Sequence, residues 1–101
     1  MHVTMTRVGT GEQPIATATI VGEEMLRWLR DLEGFVGSLM LSREGTTLSL
    51  TFWESAEVAE RHRAVRTGFR ERITTVAGVE IQEVEELQVT FAQLAALSVG
   101  T

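Results

Sequence analysis

Residues 34–60 read GFVGSLMLSREGTTLSLTFWESAEVAE, and within them the hydrophobic period changes from two to that of a helix. In Phe35–Ser42, Phe35, Gly37, Leu39 and Leu41 alternate with Val36, Ser38, Met40 and Ser42. Alternation sends successive side chains to opposite faces of a strand. Arg43-Glu44-Gly45 is a tight, glycine-bearing turn. Thr46–Trp53 then alternates more cleanly, with Leu48, Leu50 and Phe52 set against Thr47, Ser49, Thr51 and Trp53. Two strands joined by so short a turn form a hairpin. Ser55 follows as a helix N-cap, its hydroxyl suited to a free N–H of the first turn. Glu57 complements the positive end of the helix dipole. The stretch is therefore two paired strands running into a helix.

The flanking residues complete the pattern. His2–Val8 alternates, Val3 and Met5 against Thr4 and Thr6, and reads as a strand. Gly9–Pro14 is a loop. From about Ile15 to Leu32, the residues Ala18, Val21, Met25, Leu29 and Leu32 step by three or four and make one apolar helix stripe. Gly34 stands where a glycine ends a helix. Beyond Ser55 the second helix carries Val58, His62, Val65, Phe69, Ile73 and Val76 on its stripe, with Arg63, Arg66 and Arg70 on an outer face. Gly68 is a soft point in it, and Gly78 ends it. Val79–Phe91 holds a last strand, in which Leu87, Val89 and Phe91 alternate. Parity breaks between Ile81 and Val84, so a bulge is expected near Glu83. Residues 92–101 are a mildly apolar tail assigned to no element. The order strand, helix, strand, strand, helix, strand is the ferredoxin-like βαββαβ arrangement of the α+β class. It implies one domain over residues 1–101, a four-stranded antiparallel sheet with two helices on one face.

Composition narrows the function. The chain has 101 residues, 44% of them hydrophobic, with a formal net charge of −5. All nine cationic side chains are arginine. An acidic chain lacks the basic surface that neutralises phosphates, so nucleic acid is not an expected partner. No apolar run approaches the roughly 20 residues of a membrane span. The start lacks the pattern of a secretory signal, and a cytoplasmic location is the expectation. There is no cysteine, which excludes disulfides and cysteine-ligated metals. His2 and His62 are the only imidazoles, and no carboxylate stands at a ligand spacing beside them, so no metal site is expected.

In this fold the helices cover one face of the sheet. The more apolar set (Val3, Met5, Leu39, Leu41, Leu48, Leu50, Phe52, Leu87, Val89, Phe91) is expected to meet them. The other set (Thr4, Thr6, Val36, Ser38, Met40, Ser49, Thr51, Trp53, Gln88, Thr90) is uncharged and rich in hydroxyls. Water-facing sheet surfaces usually carry charge, so this set suits a cavity or an interface. Two such sheets are expected to close face to face in a symmetric homodimer around a shared lumen. A slip of one residue in register would exchange the two sets.

The stretch 34–60 resembles the antibiotic biosynthesis monooxygenase (ABM) domain family of the dimeric α/β-barrel superfamily. The features that carry the resemblance are Gly34-Phe35, the hairpin, and Trp53-Glu54-Ser55 leading into the second helix; with the element order it spans nearly the whole chain. The resemblance implies a dimeric α/β barrel and a cofactor-independent monooxygenase acting on a small hydrophobic, aromatic or polyketide-like molecule. The alternative in the same fold is a non-catalytic binding or accessory domain. The chain departs from the anthrone-oxidising members in having no Asn. It departs from the haem-degrading members in having no His at 68–71.

Within that reading Trp53 is an aromatic wall for a flat substrate, or else a structural anchor of the strand end. Ser49, Thr51, Met40 and Thr6 line the proposed pocket. His62 is the candidate base, since imidazole titrates near neutral pH. Its alternative is a packed histidine on a helix stripe, on the opposite side of the sheet from Trp53. The Arg63, Arg66 and Arg70 ridge and the run Glu80, Glu83, Glu85, Glu86 read as solvated faces. No triad spacing, phosphate loop or dinucleotide fingerprint is present.

Overall fold

The hairpin predicted from residues 34–60 forms one half of the sheet. The computed structural model describes residues 1–95. Its elements are β1 (His2–Gly9), α1 (Ala16–Leu29), β2 (Phe35–Arg43), β3 (Thr46–Trp53), α2 (Ala56–Arg61), α3 (Arg63–Ala77) and β4 (Glu80–Gln88). The strands form one sheet in the order β2-β3-β1-β4, with every neighbouring pair antiparallel. This is the βαββαβ order, with the second helix in two pieces.

Local chemistry sets the corners. Arg43 pairs with Thr46 across the Glu44-Gly45 turn, where Gly45 has φ +83°. Ser55 is extended at φ −155°, and its Oγ accepts the Val58 N–H at 3.2 Å. Gly34, also at φ +83°, carries the chain from α1 into β2 beneath Val58. A Cβ at Gly34 would fall on Val58 Cγ1. The bulge expected near Glu83 sits at Gln82: Arg7 pairs with Glu83, Val8 with Ile81, and Gln82 is left over.

The second helix breaks at His62 (φ −102°, ψ 18°) rather than softening at Gly68. At Gly68 the helix continues, and the absent side chain makes room for the Trp28 ring, 3.4 Å from where a Cβ would stand. The break changes which residues face inward. Arg66, Phe69 and Ile73 are buried in α3, whereas Val76, expected on the stripe, is 71% exposed. The last strand stops at Gln88, after which the Val89 N–H donates to Met1 O. Phe91 lies outside the strand and is exposed, so it does not meet the helices. The tail from residue 96 onward lies outside the described residues.

The two sheet faces are exchanged relative to the sequence expectation. Thr4 pairs with Thr51, Thr6 with Ser49, and Met40 with Ser49, so these side chains share one face. That face lies under the helices, because Trp53 and Val8 in the same rows belong to the core cluster with Met25, Leu29, Val58, Ala59, Phe69 and Ile73. The apolar row of Val3, Met5, Leu39, Leu41, Leu48, Leu50, Phe52 and Leu87 points the other way. Val3 and Met5 are buried yet lie outside the core cluster, while Leu41 and Leu87 are exposed. The physical reason is that apolar contact to the sheet is supplied from above. Met25, Leu29, Phe69 and Ile73 descend from the helices, and the sheet answers with large groups only at its margins. Phe35 joins them because β2 is bulged between Phe35 and Gly37, which turns its ring edge-on to Trp53 at 5.8 Å.

Gly34→Ala combines an unfavourable positive φ with a clash against Val58. It should lower unfolding stability by about 2–4 kcal/mol. Ser55→Ala, which removes only the cap bond, should lose about 1 kcal/mol. Urea denaturation of the two variants should show the larger midpoint shift for Gly34→Ala; equal shifts would mean that the corner is not constrained as described.

Candidate functional site

A hydroxyl-lined row beneath two helices leaves space that large side chains would have filled. The space is a cavity of about 60 Å³. Its floor is Thr4, Thr6, Met40, Thr47, Ser49 and Thr51 of the sheet. Its roof is Ala18, Val21, Met25 and Leu29 of α1 with Arg66, Phe69, Arg70 and Ile73 of α3. Thr10, Gln13 and Thr17 complete the wall at the β1–α1 connection. The volume corresponds to on the order of four or five waters. This cavity thus lies between the helices and the sheet of a single chain.

Of the residues singled out from sequence, Thr6, Met40, Ser49 and Thr51 line this cavity. Trp53 and His62 do not. Trp53 is wholly buried, and its indole N–H reaches Thr4 Oγ1 at 3.4 Å. The His62 ring packs against it with centroids 5.6 Å apart and planes at 31°. The two rings are therefore on the same side of the sheet, contrary to the sequence reading. His62 Nε2 donates to Glu33 O at 2.9 Å. That bond ties the helix break to the turn before β2. The ring is engaged in structure away from the cavity, which corrects its expected placement as a base there.

Arginine provides the charge that sequence reasoning placed in solvent. Arg63 does lie outside, paired with Glu60. Arg66 is only 5% exposed and lines the cavity, as does Arg70. Arg66 Nε and Nη2 donate to Ala59 O at 3.1 and 2.9 Å, meeting a carbonyl near the end of α2. Arg66 Nη1 stands 3.7 Å from Glu86 Oε2, and Glu86 Oε1 is 3.1 Å from His2 Nε2. Burial pulls the Arg66 guanidinium below its ordinary value, and the Glu86 carboxylate opposes that shift. Arg66 stays charged, because guanidinium is not deprotonated in proteins. Arg70 Nη2 donates to Thr67 Oγ1 at 3.3 Å. No carboxylate or imidazole lines the cavity among the described residues.

Gln13 is the other residue the sequence did not single out. Its Nε2 donates to Ala77 O at 2.5 Å, and its backbone N–H to Thr10 O at 3.0 Å. Its Oε1 is buried and has no hydrogen-bond partner among the described residues. One glutamine in a glycine- and proline-bearing loop has no sequence signature. Arg66 had one, since it stands three and seven residues before Phe69 and Ile73 on a common helix face, but the break at His62 hid the phase.

Among the described residues no group of three or more His, Cys, Asp or Glu side chains is placed to hold a metal ion. No helix is long and apolar enough to cross a membrane.

No protein-family model matches the sequence, and no curated protein does. Solved structures do match in shape. A variant of SnoaB, a cofactor-independent oxygenase from Streptomyces nogalater, superposes with a TM-score of 0.66 at 17% identity, over 90% of this chain and 95% of that one. A monooxygenase of Streptomyces coelicolor in complex with nanaomycin D gives 0.66 at 11% identity, over 94% and 92%. A Nitrosomonas europaea protein of unknown function gives 0.66 at 12% identity, over 94% of each chain. The chain has the fold of the antibiotic biosynthesis monooxygenases, one shared by cofactor-independent oxygenases and by proteins whose function is unknown.

Proposed function

We propose that the cavity binds a small, largely apolar aromatic molecule with an acidic oxygen or an acidic C–H beside a carbonyl, and that the protein oxygenates it without a cofactor. The observation that carries this reading is the buried Arg66 in a cavity lined, apart from Arg70 and Gln13, by apolar and hydroxyl side chains. A fixed cation in a low-dielectric site stabilises an anion formed there far more than water-exposed charge would. A molecule such as an anthrone loses a proton from its CH2 group to give a delocalised anion with charge on oxygen. That anion passes an electron to dioxygen and combines with it, and loss of water leaves a ketone. The balance is CH2 + O2 → C=O + H2O, one oxygen atom entering product and one entering water. Arg66 would hold the anionic oxygen; Ser49, Thr51 and Thr6 would orient the ring system from the floor, with Met40 beside them. Trp53 would act indirectly, by setting the height of the helices. The proton would leave to water.

The cavity as it stands is smaller than the ~150 Å³ that accommodates benzene in an engineered core. A fused-ring ligand therefore has to displace one wall. The start of α1 is lightly tied: Ile15 caps it without a side-chain hydrogen bond, and no acidic residue occupies its first turn. Its far half is held by the Arg72–Glu24 ion pair and by Trp28 against Phe69.

A second reading is a non-catalytic binding domain. It is favoured by the absence of any carboxylate or imidazole from the cavity lining among the described residues. In either reading the apolar outer row, Leu39, Leu41, Leu48, Leu50 and Phe52, is the surface through which two copies would associate.

Incubation with an anthrone under oxygen separates the two readings. The expected result is quinone formation above the buffer rate, a loss of roughly ten-fold or more in Arg66→Gln, and no change in His62→Gln beyond stability. Wild type matching buffer while still binding the anthrone would leave only the binding reading. Association is a separate test. The protomer is 11.2 kDa. Light scattering should give about twice that mass for wild type and a protomer mass for Leu50→Asp, whose charge would be buried unpaired at the interface. A protomer mass for wild type at micromolar concentration would end the dimer proposal.

A further inference from the structure

Of the arginines without a carboxylate partner among the described residues, Arg30, Arg43 and Arg61 are exposed, and Arg70 alone is half-buried. The other arginines that are not fully exposed are balanced: Arg7 meets Glu83 at 3.3 Å and Arg66 meets Glu86 at 3.7 Å. Arg70 follows Arg66 by four residues on α3, so the two side chains leave the same helix face about 6 Å apart along its axis. Both line the cavity. Like charges at this spacing repel. Burial pulls Arg66 below its ordinary value; the Glu86 carboxylate opposes that pull and the Arg70 charge adds to it. The Arg70 guanidinium makes one hydrogen bond among the described residues, from Nη2 to Thr67 Oγ1 at 3.3 Å. Its Nε and Nη1 have no partner among the described residues and, unlike Gln13 Oε1, are not shut away from solvent. A residue that lines the cavity and keeps donors open to water belongs to the cavity's rim.

We propose that Arg70 is an anion-binding residue at the rim of the cavity, and that the ligand is an aromatic acid whose carboxylate pairs with Arg70 while its ring enters the cavity. This rests on the reading of the cavity as a small-molecule site. A guanidinium offers two parallel N–H groups to one carboxylate, and such charge-assisted bonds are among the stronger ones. At the rim the carboxylate keeps water on its outer side, so it is paired without the full cost of burying a charge. The choice between the two arginines follows from what each already holds. Arg66 gives Nε and Nη2 to Ala59 O and has Glu86 beside Nη1, whereas Arg70 has only a neutral hydroxyl. A carboxylate is thus drawn to Arg70, where no other carboxylate is paired among the described residues. It also offsets the repulsion between the two guanidinium groups. The substrate class narrows accordingly, from an aromatic with an acidic oxygen to one that carries a carboxylate as well, held apart from the oxygen assigned to Arg66.

Benzoate and benzamide are suitable probes. They have nearly the same shape, and at pH 7 benzoate is charged, like the carboxylates of Asp and Glu, while benzamide is neutral. Dissociation constants for both are measured by NMR titration at constant ionic strength on wild type, Arg70→Gln and Arg66→Gln. The expected result is a benzoate-to-benzamide affinity ratio that falls about ten-fold in Arg70→Gln, with benzamide affinity little changed. In ¹⁵N-arginine-labelled wild type, the Nε resonance that Arg70→Gln removes should move much further with benzoate than with benzamide. A ratio unchanged in Arg70→Gln, or an Arg70 resonance that moves no further with benzoate, overturns the proposal while benzamide binding leaves the cavity reading intact. A ratio that falls only in Arg66→Gln also overturns it, because the carboxylate then sits on Arg66. Binding of neither probe overturns both. A ratio lowered by Arg70→Gln in a protein that does not oxygenate an anthrone supports the proposal and removes only the catalytic reading.

Discussion

The structure depends on the complete burial of Trp53 at the corner where β3 hands over to α2. The indole meets Phe35 edge-on at 5.8 Å and His62 at 5.6 Å, and its N–H reaches Thr4. Val58 and Ala59 belong to the same core. Three things follow from one side chain. The start of β2 is pulled inward through the bulge after Phe35. The helix breaks at His62, whose ring packs on the indole while its Nε2 bonds Glu33 O. The helices are held above the Thr and Ser row at a height the row does not fill. The cavity is the space between that height and the small side chains of the floor.

Most of the fold was legible because periodicity and turn chemistry agree along the chain. Thr47–Phe52 alternates without exception, Gly34, Gly45 and Gly78 stand at positive φ where elements end or turn, and Ser55 caps the helix after β3. The facing of the sheet was not legible. Hydropathy ranks the Leu48, Leu50, Phe52 row above the Ser49, Thr51 row, and the rule that the more apolar row meets the helices then fails. It fails because the helices bring their own apolar side chains and the floor needs room. The composition of the hydroxyl row did reveal that it was not a water-facing surface, and five of its members, Thr4, Thr6, Met40, Ser49 and Thr51, line the cavity. His62 misled because a histidine on an apolar stripe looks the same in sequence whether it serves a cavity or a turn. Arg66 was missed because a break of one residue changes which arginine of a ridge points inward.

The break and the buried arginine are parts of one arrangement. Interrupting a helix leaves carbonyl groups at its end in need of donors. Ala59 O takes two from Arg66, which fastens the guanidinium and thereby fixes where its remaining edge points. Glu86 balances the charge from β4 at 3.7 Å, and His2 holds Glu86 from the strand beside it. A group that first reads as a repair to the backbone thus also sets the electrostatic character of the cavity.

The lining of that cavity holds guanidinium groups but neither carboxylate nor imidazole among the described residues. Guanidinium keeps its proton at every pH at which a protein of this kind is folded. The wall therefore presents a constant charge, and protonation events inside belong to whatever molecule is bound. Near a fixed cation, a bound acid ionises at a lower pH than it does in water. The pH profile of any binding or reaction in this cavity then reports the acidity of the ligand and moves from one ligand to the next.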